Sequence, residues 1–293
     1  MRDGAGDEPL RSRSGCPEPS AQHAPLLPTG VSGRLPPAHP VPGHSGAGPM
    51  SVLTLSVDGV EVAVPAGATL LEAIRSAGSR VPTLCHLDGL TPVGACRLCL
   101  VEQVDSQRLL PACATEAVEG LAILTATPRL QAYRRMAVEL FFAEGNHVCA
   151  FCVANGACEL QDVASEVGMD HSRFPYRYPD RCVDSSHPQF SIDHHRCILC
   201  TRCVRVCDEI EGAHVWDVAD RGEHCRIIAG LDQPWGEVSA CTSCGKCVDV
   251  CPTGAIVRKD DTTAEKHPHR ERPLLLRQAR EQHRWHPTGD PLS

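Results

Sequence analysis

The chain has 293 residues, 18 of them Cys, with 4% aromatic residues and a formal net charge of -8. An acidic chain so poor in rings lacks the basic, stacking face of a general nucleic-acid binder, and without a run of about eighteen apolar residues it offers no membrane span. Residues 1–30 show no apolar core of a secretory signal, so the thiols are expected in a reducing, cytoplasmic compartment, where clustered Cys bind metal more often than they form disulfides.

In chain order, residues 1–49 hold ten Pro and eight Gly and no hydrophobic period. They read as a disordered extension, or as a mis-assigned start with translation beginning at Met50. A first module, 50–126, opens with two alternating segments, Val52–Val57 and Val60–Val64, around Asp58-Gly59, which predicts a hairpin. Thr69–Ser76 follows with helical spacing at Leu70, Ile74 and Ala77, stopped by Gly78. A Cys-rich loop and strands near Leu98–Val104 and Leu121–Leu124 complete a small α+β sheet.

The second module, 127–187, starts at Thr127-Pro128, an N-cap and N1 pair. It predicts a helix with Leu130, Tyr133, Met136, Ala137, Leu140 and Phe141 on one apolar face and Gly145 at its end. A shorter helix is expected over about Glu159–Val167. The third module, 188–258, is an internal repeat interrupted by a hairpin of Val215–Val218 and Cys225–Ile228. The tail, 259–293, is polar, rich in Pro and His, and expected to be disordered, with His267, His269, His283 and His286 solvated.

Cysteine spacing carries the chemistry. Cys197-x2-Cys200-x2-Cys203-x3-Cys207 recurs as Cys241-x2-Cys244-x2-Cys247-x3-Cys251-Pro252. Three thiolates two residues apart wrap one cubane, and the fourth points to the neighbouring cluster. The expected ligand sets are therefore crossed: Cys197, Cys200, Cys203 and Cys251 for one [4Fe-4S] cluster, and Cys207, Cys241, Cys244 and Cys247 for another. Asp208 stands where Pro follows Cys251, which keeps open a set drawn from each run alone. Zinc, which favours two separated C-x2-C pairs, fits this repeat poorly.

Cys85, Cys96, Cys99 and Cys113 suit a [2Fe-2S] cluster on a loop leaving the sheet, with structural zinc as the alternative. His147, Cys149, Cys152 and Cys158 give a third [4Fe-4S] site if the imidazole is a ligand, and His147 is otherwise a helix-end histidine. Fifteen Cys and one His thus fill four sets, leaving Cys16, Cys182 and Cys225 outside them. Arg202, Arg205 and Lys246 lie between ligands, to tune the clusters, to meet partners, or as solvated charges. Arg173–Pro179 is an aromatic-rich link for packing or docking.

Phe142-Ala-Glu-Gly-Asn-His-Val-Cys149, Cys158-Glu-Leu-Gln-Asp162, Arg173-Phe-Pro-Tyr176, Cys197-Ile-Leu-Cys-Thr-Arg-Cys-Val-Arg-Val-Cys-Asp-Glu209 and Cys241-Thr-Ser-Cys-Gly-Lys-Cys247 resemble the HoxU-type diaphorase iron–sulfur subunit of bidirectional NAD-reducing [NiFe]-hydrogenases. That family is related to the N-terminal region of the complex I G-type subunit. In the complex I pattern the His lies four positions before the first Cys, whereas here it lies two before, as in the HoxU type. The resemblance covers about 51–258. It implies an α+β fold of a [2Fe-2S] ferredoxin-like (β-grasp) domain, a helical [4Fe-4S] segment with one His and three Cys ligands, and a double-cubane, bacterial-ferredoxin-like domain. It also implies an electron-transfer role without catalytic residues, in a hetero-oligomer with a flavin- and NAD-binding diaphorase subunit and the small and large [NiFe]-hydrogenase subunits. No Gly-rich nucleotide loop follows a strand, so NAD and flavin sites are expected on partners. A G-type component of complex I or of an NAD-linked formate dehydrogenase is the rival role, and a zinc-binding module the non-redox one.

Overall fold

The computed structural model describes residues 51–266 and 270–282. The expectations for residues 1–49, Cys16, His267, His269, His283 and His286 lie outside them. β1 (Val52–Val57) and β2 (Val60–Pro65) pair antiparallel through the expected turn. Asp58 (φ 52) and Gly59 (φ 85) are both left-handed there, the conformation that matches the twist of a two-residue hairpin. α1 (Leu70–Ser76) starts in a capping box: the Thr69 hydroxyl accepts from the Glu72 N–H at 3.3 Å, and the Glu72 carboxylate accepts from the Thr69 N–H at 2.6 Å.

β3 (Leu100–Gln103), β4 (Leu109–Pro111) and β5 (Ala122–Leu124) complete a five-stranded sheet ordered β2-β1-β5-β3-β4, with β5 parallel to β1. α1 packs Leu70, Leu71, Ala73 and Ile74 into a core with Leu55, Val57, Val101 and Ile123. This is the ferredoxin-like sheet expected. β4 had no sequence signal, because three residues ending in Pro111 carry no alternation, and Pro is tolerated only at such an edge.

α2 (Pro128–Glu144) begins at Thr127, whose hydroxyl accepts from the Leu130 N–H, and ends at Gly145. Its buried face differs from the apolar stripe expected: Leu130, Arg134, Val138, Glu139 and Ala143 are inside, while Tyr133 and Leu140 stay exposed. Hydrogen bonding sets that face. The Arg134 guanidinium donates to the carbonyls of Leu98 (3.0 Å), Leu100 (2.9 Å) and Thr125 (2.8 Å), tying α2 to the sheet, and Glu139 is held by Arg135 and Arg173. α3 (Glu159–Glu166) follows.

The third module begins with β6 (Val183–Asp184) and β7 (Phe190–Asp193). α4 (Arg202–Arg205) widens into a π-helical segment, Val206–Glu211, that stops at Gly212 (φ 75). β8 (Trp216–Ala219) and β9 (Arg226–Ala229) form the expected hairpin. α5 (Lys246–Val250) leads to β10 (Ile256–Arg258), which pairs antiparallel with β7, giving the order β10-β7-β6.

The expected disordered tail needs correction over its described part. α6 (Arg272–Glu281) buries Leu276 and Ala279, Arg277 pairs with Glu209 at 2.8 Å, and a Cβ on Gly89 would lie 2.6 Å from the Leu274 backbone nitrogen. The helix is anchored mainly by arginines and two small apolar contacts, which is why its composition reads as solvated.

Candidate metal centres

The loop after α1 brings Cys85, Cys96, Cys99 and Cys113 together under the sheet, all buried. The Leu84 N–H donates to Cys96 Sγ (3.4 Å), the Cys96 N–H to Cys85 Sγ (3.5 Å), and the Cys99 and Cys113 sulfurs are 3.4 Å apart. Hydrogen bonds from Cys113 and then Cys96 hold the Cys85 thiol far below its ordinary value. Cys85 in turn drives Cys96 far up, and Cys85 with Cys99 does the same to Cys113. Four thiols crowded this closely cannot all ionise without a shared cation, which is what a metal cluster provides.

In the second module, His147 is half-buried, and its enclosed Nε2 has no hydrogen-bond partner. Burial, followed by the charge of Arg196, pushes its pKa down to about 4, so the imidazole is neutral as a metal ligand requires. Arg196 also donates to Cys152 Sγ at 3.5 Å, and Cys149 Sγ lies 3.7 Å from the His147 carbonyl oxygen. Burial raises Cys158 to about 11, with Cys152 among its neighbouring charges. A Cβ on Gly254 would overlap the Cys152 sulfur. An orphaned nitrogen and a glycine cradle beside a ligand-type sulfur fit a bound cluster.

The repeat is conformational as well as spatial. Leu199 (φ 54) and Thr201 (φ 57) in the first run match Ser243 (φ 56) and Gly245 (φ 72) in the second, and Arg97 (φ 59), after Cys96, repeats the turn in the first module. Left-handed non-Gly residues cost roughly 1–2 kcal/mol each and collect at functional loops. These turns aim backbone N–H groups at sulfur two residues back, Leu98 to Cys96, Leu199 to Cys197 and Arg202 to Cys200, and ordinary backbone does the same from Leu160 to Cys158 and from Thr253 to Cys251. Such donors stabilise thiolates and bridging sulfide alike.

Burial pushes Cys197 up to about 12 and Cys200 to about 11, and each is raised further by Cys251. Cys203 also faces Cys200, Cys197 and Cys251 and, last among its charges, Cys247 of the other run. Cys207 instead faces Cys244 and Cys241, and Cys247 faces Cys244, Cys207 and Cys241. One cavity is lined by Cys207, Cys241, Cys244 and Cys247 with Trp216 and Trp235. The downstream thiols thus line a space, which suits a body of several atoms.

Several residues at these sites carried no sequence signal. Trp235 Nε1–H donates to Cys241 Sγ (3.3 Å), and His187 stacks on both Phe190 and Trp235. The solvated-charge reading of Arg202, Arg205 and Lys246 is corrected, because all three are buried. Arg202 forms a bidentate pair with Glu159 and donates to the carbonyls of His86 and Val250. Lys246 pairs with Glu211. Lys266, assigned to the tail, is buried against Cys251 and donates to its carbonyl.

Comparison with known proteins agrees with this layout. Residues 51–128 match the family model described as a 2Fe-2S iron-sulfur cluster binding domain, and 134–173 the NADH-ubiquinone oxidoreductase-G iron-sulfur binding region. Residues 187–257 match the NADH-quinone oxidoreductase subunit 3 ferredoxin-like domain, and 240–289 a 4Fe-4S double cluster binding domain. The chain is 34% identical over 208 residues to the HoxS gamma subunit of the NAD-reducing hydrogenase of Cupriavidus necator, covering 71% of this chain and 87% of that protein. It is 36% identical over 210 residues to a G-type subunit of NADH-quinone oxidoreductase from Rhizobium meliloti, covering 70% of this chain but 24% of that much longer protein. A crystal structure of NAD+-reducing [NiFe]-hydrogenase in the H2-reduced state superposes with a TM-score of 0.67 at 35% identity, over 72% of this chain and 88% of that one. With one 2Fe-2S domain followed by 4Fe-4S binding domains, the chain belongs to the iron–sulfur subunits related to the G-type component of NADH-quinone oxidoreductase and to the gamma component of NAD-reducing hydrogenase.

Proposed function

We propose that this chain is a non-catalytic electron-transfer subunit relaying single electrons between an NAD(H)-reactive flavoprotein and the small and large subunits of a [NiFe]-hydrogenase, in a cytoplasmic hetero-oligomer. The grouping of buried and half-buried thiols into four sets within contacting modules supports this role above all. Cys85, Cys96, Cys99 and Cys113 would hold a [2Fe-2S] cluster. His147, Cys149, Cys152 and Cys158 would hold one [4Fe-4S] cluster, Cys197, Cys200, Cys203 and Cys251 a second, and Cys207, Cys241, Cys244 and Cys247 a third. When bound, the clusters supply one-electron carriers.

The chain's own residues set the conditions for that transfer. Backbone N–H groups are fixed toward the sulfurs, so little reorganisation accompanies a change of charge. Phe190, Trp216 and Trp235 exclude water from the cavity of the downstream run. Arg202 and Arg205 fix the spacing between modules through the carbonyls of His86 and Cys85. The C. necator relative and the hydrogenase structure suggest the NAD and hydrogen ends of the route.

Anaerobic purification should yield about 14 iron and about 14 sulfide per chain, with hydrogen-dependent NAD reduction by the assembled complex and none by this chain alone. Stoichiometric zinc with little iron, or turnover by the isolated chain, would overturn the proposal. A role beside quinone-oxidoreductase subunits is favoured by the identity to the R. meliloti protein. Capture of those subunits in place of nickel-containing ones would select it.

A further inference from the structure

Two buried cations lie against the backbone of one proposed cubane site. Arg205, 7% exposed, donates from one nitrogen to the carbonyls of Cys200 (3.1 Å) and Cys85 (2.6 Å), and from the other to that of Thr91 (2.7 Å). Lys266, 2% exposed, donates to the carbonyls of Cys251 (3.2 Å), Thr253 (2.6 Å) and Ile256 (3.1 Å). Three carbonyl acceptors match the three hydrogens of an ammonium, and a neutral amine has only two, so the geometry favours the charged form against the burial that lowers its pKa. Among the described residues, both cations bond to carbonyl oxygens and to no carboxylate; Glu209, whose charge reaches Arg205, is itself paired with Arg277.

The neighbouring centre is different. Its adjacent cation, Lys246, is paired with Glu211, and the groups at its sulfurs are uncharged: the Val215 N–H to Cys207 at 3.3 Å, the Trp235 indole to Cys241 at 3.3 Å, and the ring of His187, 3.8 Å from Cys241, which burial keeps on the neutral side. Arg202 adds to the contrast: it shares the single carboxylate of Glu159 with Arg270, so that group of charges keeps a net positive charge beside Cys200 and Cys251.

Reducing a cluster adds one negative charge, and an unneutralised cation in a low-dielectric surrounding stabilises it, which raises the potential. We infer that Arg205 and Lys266 make the Cys197, Cys200, Cys203 and Cys251 centre the higher-potential, electron-holding member of the double-cubane pair. The inference rests on the ligand assignment under Proposed function. Lys266 also faces Cys158 and Cys152 of the His-containing set, and Arg205 faces the [2Fe-2S] ligand Cys85. The favoured centre thus has one cation at its border with each of two other sites.

The test is a potentiometric titration of the iron-loaded full chain followed by EPR, in wild type, Lys266→Met, Lys266→Arg and Arg205→Met. Cys251→Ser and Cys207→Ser variants identify the two signals. The signal altered by Cys251→Ser should titrate at the higher potential in wild type. Lys266→Met and Arg205→Met should each move it to lower potential and leave the Cys207→Ser-sensitive signal in place, while Lys266→Arg keeps the wild-type value. A reversed wild-type order overturns the inference, as does an unmoved midpoint in fully loaded Met variants or an equal shift of both signals. The wild-type order decides the matter even where a Met variant fails to load iron. If Cys251→Ser and Cys207→Ser alter the same signal, the ligand assignment itself fails and the inference falls with it.

Discussion

A Cβ on Gly145 would come within 2.6 Å of His147 Nε2 and 2.8 Å of the His195 carbonyl oxygen. Gly145 has an extended backbone, φ -119 and ψ 159, open to any residue, so its contribution there is space alone. Gly145→Ala should displace the imidazole and lower the iron content from about 14 to about 10 per chain, the loss of one four-iron cluster. Iron analysis with EPR checks this: the signals of the other three centres should survive.

Arg202 joins all three modules, with Glu159 and the carbonyls of His86 and Val250 as its partners. Arg202→Met leaves both carbonyls without their donor and Glu159 with Arg270 as its remaining cation. The expected loss is about 3 kcal/mol, the low end for breaking a buried ion pair, because Glu159 keeps that second partner. Anaerobic denaturation of the loaded protein should show a lowered midpoint, and Glu159→Gln a smaller shift in the same direction.

Cys207 and Cys251 offer a discriminating pair of substitutions. With crossed ligands, Cys207→Ala disturbs only the centre of Cys241, Cys244 and Cys247, and Cys251→Ala only that of Cys197, Cys200 and Cys203. Spectra referenced to variants lacking one whole triplet measure this. A change in the Cys197–Cys203 centre on Cys207→Ala would show that each run keeps its own cluster.

His147 gives the chain a defined acid sensitivity. Its pKa is held at about 4 by burial and by Arg196, against an ordinary 6.5. Between those values the unfolded chain binds a proton that the folded chain does not, so stability is complete above pH 6.5 and falls as the pH drops toward 4. The full loss is about 3 kcal/mol at 1.36 kcal/mol per pH unit. Iron coordination acts in the same direction, because only the neutral ring binds metal. Denaturation from pH 7 to 5 should give a steeper decline in wild type than in His147→Asn, and parallel profiles would contradict the assignment.

What was legible in the sequence is what local chemistry dictates. Asp58-Gly59 forces its turn, Thr69 and Glu72 cap α1, Thr127-Pro128 starts α2 and Gly145 ends it. Cysteine intervals, set by the dimensions of the ligand turns, located each thiol group. The misread elements owe their positions to contacts distant in the chain. Arg134 faces inward because three carbonyls from Leu98, Leu100 and Thr125 await a donor, and hydropathy cannot register that. Arg205 is buried because Thr91 and Cys85 lie across a module boundary. Lys266 and α6 read as tail because their anchoring is polar, and polar anchoring has the composition of a solvated segment.

The π-helical segment Val206–Glu211 carries Cys207, while the equivalent Cys251 lies just beyond α5 and is followed by Pro252. A π turn accommodates one surplus residue within a helix, and deleting one residue turns a helical side chain by about 100°. The upstream repeat therefore needs only a single-residue deletion ahead of Cys207 to swing that sulfur away from Cys241, Cys244 and Cys247. Cys197, Cys200, Cys203 and Cys251 would keep their places. Under the proposed ligand sets, such a deletion would withdraw one sulfur from the downstream centre and leave the upstream set of four complete.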